Sequence, residues 1–298
     1  MASLAGTRRP LCSDRSRESS EPLSATASRI DYWLLIEYRG LWGRAPLGGS
    51  GLSDEVKDHV RAQLAARGPA RLLFVKRPER RGREGIRVFY GSTRADESRF
   101  FRRVLTSYDE LLDLNLRVEL ETGAKRLEHP LFVVCTHGKR DRCCAVYGRP
   151  LYEALQGELD EDWVWQATHV GGDRFAGNVV VLPGGLYFGR VRPEAAAPLA
   201  DKYLADEIDL EHYRGRCWYP FPAQAAEHTL RVELGLTGIR ELDFAHAERD
   251  GDRWQIAFRT RDGAVHERTV VSELGELTYM TCDADRLQRP RTYRALSS

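Results

Sequence analysis

The stretch that decides the fold is residues 131–156, LFVVCTHGKRDRCCAVYGRPLYEALQ. Its first five residues are all apolar, which is typical of a short strand buried inside a sheet. A polar loop follows, and residues 144–156 then predict a helix. A buried strand that leads through a polar loop into a helix predicts an α/β unit, with the loop at one end of the sheet.

The residues that follow complete this unit. Residues 163–169 predict a second strand, and residues 178–191 predict a hairpin whose turn is Pro183-Gly184-Gly185. Pro193 then occupies the favoured first position of a helix that runs to about residue 205. Strand, helix, strand, hairpin and helix are the order of a thioredoxin-like domain. We therefore predict an α/β fold, with α+β as the alternative, and assign this domain to residues 129–215.

The rest of the chain divides into three further regions. Residues 1–28 are rich in Ser and Arg and predict a flexible arm. Residues 29–128 predict an α/β unit in which Ser53 caps a helix. Residues 216–298 predict a helix followed by a β-rich region with a hairpin turn at Asp262-Gly263. Because the first strands of the two α/β units begin about 100 residues apart, we hypothesise that the units arose by an ancient duplication.

Composition narrows the class of protein. The 298 residues contain 45 Lys and Arg against 44 Asp and Glu, a net charge of +1. This balance argues against a nucleic-acid partner bound through bulk charge. Six cysteines are too few for a disulfide scaffold. With no apolar run near membrane-spanning length and no apolar signal segment, we expect no membrane partner and a cytoplasmic location.

The chemistry-bearing residues are concentrated in two polar loops that each follow a predicted strand. The first loop carries Cys135, Cys143 and Cys144, and the second begins at His169. Because loops at the same end of a sheet converge, these side chains are expected to meet. Thiolates with imidazole select zinc, copper or iron–sulfur clusters. The alternative is a set of buried thiols that hold no metal.

The spacing of residues in the sequence does not match the motifs of several other chemistries. The chain has no C-x-x-C pair of the thioredoxin type, and its Gly171-Gly172 does not continue as a G-x-G-x-x-G fingerprint. A tyrosine-phosphatase loop would need Arg where Asp141 stands. The eight residues between Cys135 and Cys144 exceed the spacing of zinc ribbons, and they are enough to surround a larger group such as a two-iron cluster.

The segments CTHGKRDRCCAVYGRPLYEAL and HVGGDRFAGNVVVLPGGLYFGRVRPE resemble the sucrase/ferredoxin-like family and the thioredoxin-like 2Fe–2S ferredoxins. The resemblance implies a 2Fe–2S cluster with Cys135 and Cys144 as its first pair of ligands. His169 and Asp173 stand where the second pair lies, and some members have two histidines there. Asp173 departs from that pattern, so the fourth ligand is either Asp173 or Cys143. Cys12 is a further candidate that would have to fold back to the site.

The resemblance implies an electron carrier or redox sensor rather than a bond-making enzyme. A neutral imidazole in place of a thiolate raises the reduction potential of a cluster, as in Rieske centres. We expect seven further residues to line the site or to dock a redox partner, whose identity is open and whose expected character is acidic: His137, Lys139, Arg140, Arg142, Gly171, Gly172 and Asn178. Two alternatives remain, a thiol-dependent oxidoreductase or transferase that uses Cys135 or Cys144, and a zinc-binding interaction module.

Overall fold

A computed structural model describes residues 10–78, 84–95, 98–122 and 125–296. The first nine residues of the predicted arm lie outside the described residues. The described fold is mixed α/β, as predicted, with one sheet of nine strands and a separate sheet of four strands near the carboxyl terminus.

The predicted flexible arm is wrong for residues 10–28. A short helix, α1 (Cys12–Glu18), lies there with Cys12, Ser13 and Ser16 buried. Arg190 donates hydrogen bonds to Ser16 and to the carbonyl of Glu21. The segment is therefore ordered by contacts with residues that are distant in sequence, although its local composition resembles a polar linker.

The strands and α-helices described in the first α/β unit are β1 (Tyr32–Glu37), α2 (Asp54–Ala65), β2 (Ala70–Lys76), β3 (Ile86–Ser92), β4 (Arg99–Leu105) and α3 (Leu116–Thr122). The predicted helix cap at Ser53 is confirmed, since its side chain accepts a hydrogen bond from the amide of Val56. β1 pairs in parallel with β2 and antiparallel with β3, and β3 pairs antiparallel with β4.

The second unit repeats this order: β5 (Leu131–Cys135), α4 (Arg142–Glu158), β6 (Val164–Ala167), β7 (Val179–Leu182), β8 (Leu186–Phe188) and α5 (Ala196–Leu204). β5 is parallel to β6 and antiparallel to β7, and β7 is antiparallel to β8. The order β6-β5-β7-β8 therefore matches β2-β1-β3-β4, with the same strand directions. Different strand orders would have contradicted the duplication hypothesis, and the structure shows the same order twice.

The two units form one continuous sheet. β2 pairs antiparallel with β6, through Val75 with Ala167 and Lys76 with Gln166. Ala167 also pairs with Cys135 in the neighbouring strand. This junction places the loop that follows β1 beside the loop that follows β5, so the first unit contributes to the wall of the candidate site.

The chain after residue 205 closes the edge of the sheet and adds the small β domain. β9 (Tyr213–Arg216) pairs with β8. α6 (Phe221–Leu234) then leads to an antiparallel sheet of four strands: β10 (Leu242–Asp250), β11 (Arg253–Thr260), β12 (Val265–Leu274) and β13 (Arg291–Ala295). The predicted helix and the hairpin turn between β11 and β12 are both present.

Candidate metal centre

The end of β5 and the start of α4 are held together closely. All five residues of β5 are buried, as the apolar run predicts. Asp141 caps α4 by accepting the amide of Cys143 at 2.8 Å. Gly148 faces the strand so closely that a Cβ built on it would lie 2.0 Å from the carbonyl oxygen of Cys135. A glycine is therefore needed for α4 to approach β5 and bring Cys144 to Cys135.

The structure brings together three of the predicted ligands. Donor atoms of Cys135, Cys144 and His169 all lie within 4.8 Å of one another. Asp173 adjoins them: its Oδ1 lies 3.2 Å from the Sγ of Cys144 and 2.8 Å from the Nδ1 of His169. We call these four residues site A. Two thiols, an imidazole and a carboxylate are donors that metal ions accept.

The four groups of site A shift one another's pKa values. A hydrogen bond from Cys144 and the nearby His169 hold the pKa of the Cys135 thiol well below its usual range, against the opposing effect of burial. Burial acts to lower the pKa of His169, but Asp173 and Cys135 outweigh it and raise that pKa to about 9. Burial also opposes ionisation of Asp173, yet hydrogen bonding to His169 leaves its pKa lowered. The charged groups of site A are therefore a Cys135 thiolate, an Asp173 carboxylate and a His169 imidazolium, whereas the hydrogen bond with Cys135 and burial raise the pKa of the Cys144 thiol. Binding of a cation would release the protons of His169 and Cys144.

The loop that carries His169 and Asp173 depends on two glycines and Asn178. Gly171 and Gly172 have φ values of 106° and 79°, which side chains rarely adopt. The amide of Asn178 donates to the carbonyl of Gly172 at 2.9 Å. These three predicted residues therefore shape the loop and are not themselves members of site A.

Arg214 is a site residue that the sequence analysis missed. It is 1% exposed, and it donates to Asn178 Oδ1 and to the carbonyls of Gly171 and Thr26. Burial lowers its pKa to about 9. Its guanidinium therefore anchors the second loop and places a buried cation near site A. An isolated Arg in a chain rich in Arg carries no sequence signal of such a role.

His137 lies in the wall of the site and contacts the first unit. Its Nε2 donates to the carbonyl of Gly43 at 2.9 Å, and its ring meets the edge of Trp42 at a centroid distance of 5.9 Å. Burial lowers the pKa of His137, so the ring is neutral. Lys139, on the same loop, is exposed, whereas Arg140 and Arg142 are half-buried.

Cys143 turns away from site A. Its Sγ lies 3.4 Å from that of Cys12 and 3.2 Å from that of Cys282. These thiols and Asp141 form a second group, site B, whose donor atoms also lie within 4.8 Å of one another. The structure thus places Asp173, and not Cys143, beside Cys144 and His169. Cys12 does fold back, but to Cys143.

The fold and the two sites define a mixed α/β protein with two units of the same strand order and two buried groups of thiols. A model of the sucrase/ferredoxin-like family matches residues 25–215, more than half of the chain. The chain therefore belongs to the sucrase/ferredoxin-like family, which confirms the resemblance to that family.

Similar curated proteins carry the name altered inheritance of mitochondria protein 32. The one from Meyerozyma guilliermondii is 34% identical over 106 residues, which are 32% of this chain and 38% of that protein. The one from Eremothecium gossypii is 32% identical over 99 residues, covering 28% and 32% respectively. The matched stretch thus spans about a third of these relatives. No solved structure matches the chain.

Among the described residues, no helix has both the length and the apolar character needed to cross a membrane.

Proposed function

We propose that site A binds a 2Fe–2S cluster and that the protein transfers single electrons or senses redox state. The observation that carries this proposal is the meeting of Cys135, Cys144 and His169 in one buried group on two loops of the second unit. The cysteines stand where the resembled ferredoxins have their first ligand pair. His169 and Asp173 stand where those proteins have the second pair.

The donor chemistry fits such a cluster. Thiolates are the usual ligands, and histidines replace two of them in Rieske centres. Asp173 supplies the fourth donor in this proposal, since its carboxylate adjoins both Cys144 and His169. When bound, the cluster supplies a one-electron couple. The protein supplies dry surroundings, with Cys135 and Cys144 each 1% exposed.

Nearby positive groups favour the negative charge of a bound cluster. Cys144 lies in the first turn of α4, where the helix dipole stabilises a thiolate. Arg214 adds a buried guanidinium close to the second loop. Both effects raise the reduction potential, because the reduced cluster carries one more negative charge.

An acidic redox partner would approach through His169 and the basic loop. The His169 side chain is 26% exposed, whereas that of Asp173 is only 4% exposed. Lys139 projects into solvent from the neighbouring loop. His169 is therefore the most exposed of the four donors of site A, and in this proposal Lys139 attracts the acidic partner to this side of the site. A reducing compartment, such as the cytoplasm, keeps the six free thiols available.

The two alternatives differ in how well the geometry supports them. A thiol-dependent enzyme needs a thiolate that a substrate can reach, and Cys135 is almost fully buried. A single zinc ion at site A is the second candidate. The specific observation in its favour is that all three donor atoms lie within 4.8 Å, which suits one tetrahedral ion.

The experiment is purification of the full chain without oxygen, followed by iron, sulfide and visible-absorption measurements. We expect a coloured protein with equal amounts of iron and sulfide, both lost in Cys135→Ser. Cys217→Ser is the matched control, because Cys217 is buried outside both sites and its Sγ donates to the hydroxyl of Thr93 at 3.2 Å. A colourless wild-type protein with zinc at site A would overturn the proposal.

A further inference from the structure

We propose that site B is a structural zinc site formed by Cys12, Cys143, Cys282 and Asp141. This proposal does not depend on the proposed function, because none of the four residues belongs to site A. The site joins three parts of the chain: α1, the start of α4, and the irregular segment between β12 and β13.

The spacing of the three sulfurs fits a single tetrahedral ion. They are separated by 3.4 Å for Cys12 and Cys143, 3.2 Å for Cys143 and Cys282, and 3.7 Å for Cys282 and Cys12. A tetrahedral ion with zinc–sulfur bonds of about 2.3 Å holds its sulfurs roughly 3.8 Å apart. A disulfide would need about 2.05 Å, so no pair in this triangle is bonded covalently.

Asp141 completes a set of four donors. Its Oδ1 and Oδ2 lie 3.9 and 3.8 Å from the Sγ of Cys12. Each oxygen accepts one backbone amide, from Cys143 at 2.8 Å and from Cys282 at 2.7 Å. A carboxylate has about four lone-pair positions, so it can accept both amides and still bind an ion. Three thiolates with one oxygen suit zinc, which accepts both donor types.

Hydrogen-bond donors point at two of the three sulfurs. The backbone amide and the hydroxyl of Ser13 both donate to the Sγ of Cys143, at 3.5 and 3.2 Å. The amide of Cys12 donates to the Sγ of Cys282 at 3.5 Å. Donors of this kind orient and stabilise metal ligands. Cys143 also lies at the positive end of α4.

Burial makes an ion the simplest explanation of the group. The four residues are 0–6% exposed. A buried carboxylate beside three sulfurs is costly unless a cation offsets its charge. A bound zinc would tie Cys12 and Cys282, which are 270 residues apart, to the second unit. Closing loops of that length through a metal stabilises the folded chain.

The test is the zinc and iron content of the full chain and its variants, purified without chelators. We expect about one tightly bound zinc per chain in the wild type. Cys12→Ser and Cys282→Ser should lose the zinc and keep the iron of site A. Cys135→Ser should keep the zinc, and Cys217→Ser should keep both metals.

A cobalt titration separates loss of the site from loss of the fold. Wild-type protein stripped of zinc should develop sulfur-to-cobalt absorption bands, and these should weaken in Cys12→Ser while the far-ultraviolet circular dichroism remains that of the wild type. A zinc-free wild type overturns the proposal, and so does zinc that persists in both Cys12→Ser and Cys282→Ser. If only Cys135→Ser removes zinc, the ion belongs to site A and both proposals are wrong.

Discussion

Cys143 and Cys144 are adjacent in the chain, yet their sulfurs belong to two different donor groups. The Sγ of Cys143 lies 3.2 Å from that of Cys282, whereas the Sγ of Cys144 lies 3.2 Å from Asp173. Successive residues of a helix diverge by about 100°, so one turn at the start of α4 serves both sites. Site A and site B therefore share the first turn of α4, but no donor residue belongs to both.

This arrangement predicts opposite results from two neighbouring substitutions. Cys144→Ser should abolish the iron and the visible absorption while it leaves the zinc of site B. Cys143→Ser should release zinc while it leaves most of the iron. Elemental analysis and absorption spectra of the two variants, purified side by side, measure both quantities. Loss of the same metal from both variants would contradict the division into two sites.

Asp173 is the weakest donor of site A, because a carboxylate is harder than an imidazole. Asp173→His would create the pair of histidines that the family resemblance implies for some members. We expect this variant to hold more iron than the wild type and to lose its colour more slowly in air. Asp173→Ala should bleach faster than the wild type. If the histidine variant bleaches as fast as the alanine variant, position 173 does not bind the cluster.

The close contact at Gly148 allows site A to be disturbed sterically without a change to any of its ligands. In Gly148→Ala the new methyl group would press on the carbonyl of Cys135, so α4 must move and carry Cys144 with it. We expect a large loss of bound iron. Gly157→Ala is the matched control on the same helix, because a Cβ there meets nothing within 4 Å. That control should retain its iron and gain about 0.5–1 kcal/mol in stability.

Local patterns predicted most of the fold. The buried strand β5, the cap at Ser53 and the hairpin at residues 183–185 depend on neighbouring residues, and all three are present. The thioredoxin-like order of elements followed from these local predictions.

Long-range contacts could not be predicted in the same way. Site B unites residues separated by 131 and 139 positions, and the segment that carries Cys282 has no regular pattern. No sequence pattern predicts the role of Arg214 either, since that role depends on the carbonyls of Gly171 and Thr26, which only the fold brings to it. The choice between Cys143 and Asp173 as the fourth donor of site A likewise depends on the direction in which each side chain points, and local sequence does not give that direction.

A buried ionic cluster next to the second unit predicts how stability depends on pH. Glu227 is fully buried and accepts hydrogen bonds from Arg216, Arg231 and Tyr213 at 2.9–3.1 Å. Burial acts to raise its pKa, but the two arginines outweigh it and leave the pKa below the ordinary value of 4.5. The ionised carboxylate therefore stabilises the fold above that value, and this stability is lost as the pH falls through the lowered pKa.

Glu227→Gln should thus cost about 3–5 kcal/mol at neutral pH, because two buried guanidinium groups lose their counter-charge. The difference from the wild type should shrink in acid. Urea denaturation of the two proteins at several pH values measures it. Glu233→Gln is the control, since Glu233 on the same helix pairs with Arg268 at a partly exposed position. That control should cost at most about 1 kcal/mol, and an equal cost for both variants would refute the argument.

The most direct test of the central claim is pulsed electron paramagnetic resonance of the chemically reduced protein. If Cys135, Cys144 and His169 hold a 2Fe–2S cluster, the reduced wild type shows the signal of one unpaired electron with a strongly coupled nitrogen. That nitrogen coupling disappears in His169→Cys, while the iron signal remains. A wild-type protein with no iron signal, or a signal whose nitrogen coupling survives in His169→Cys, would contradict the account.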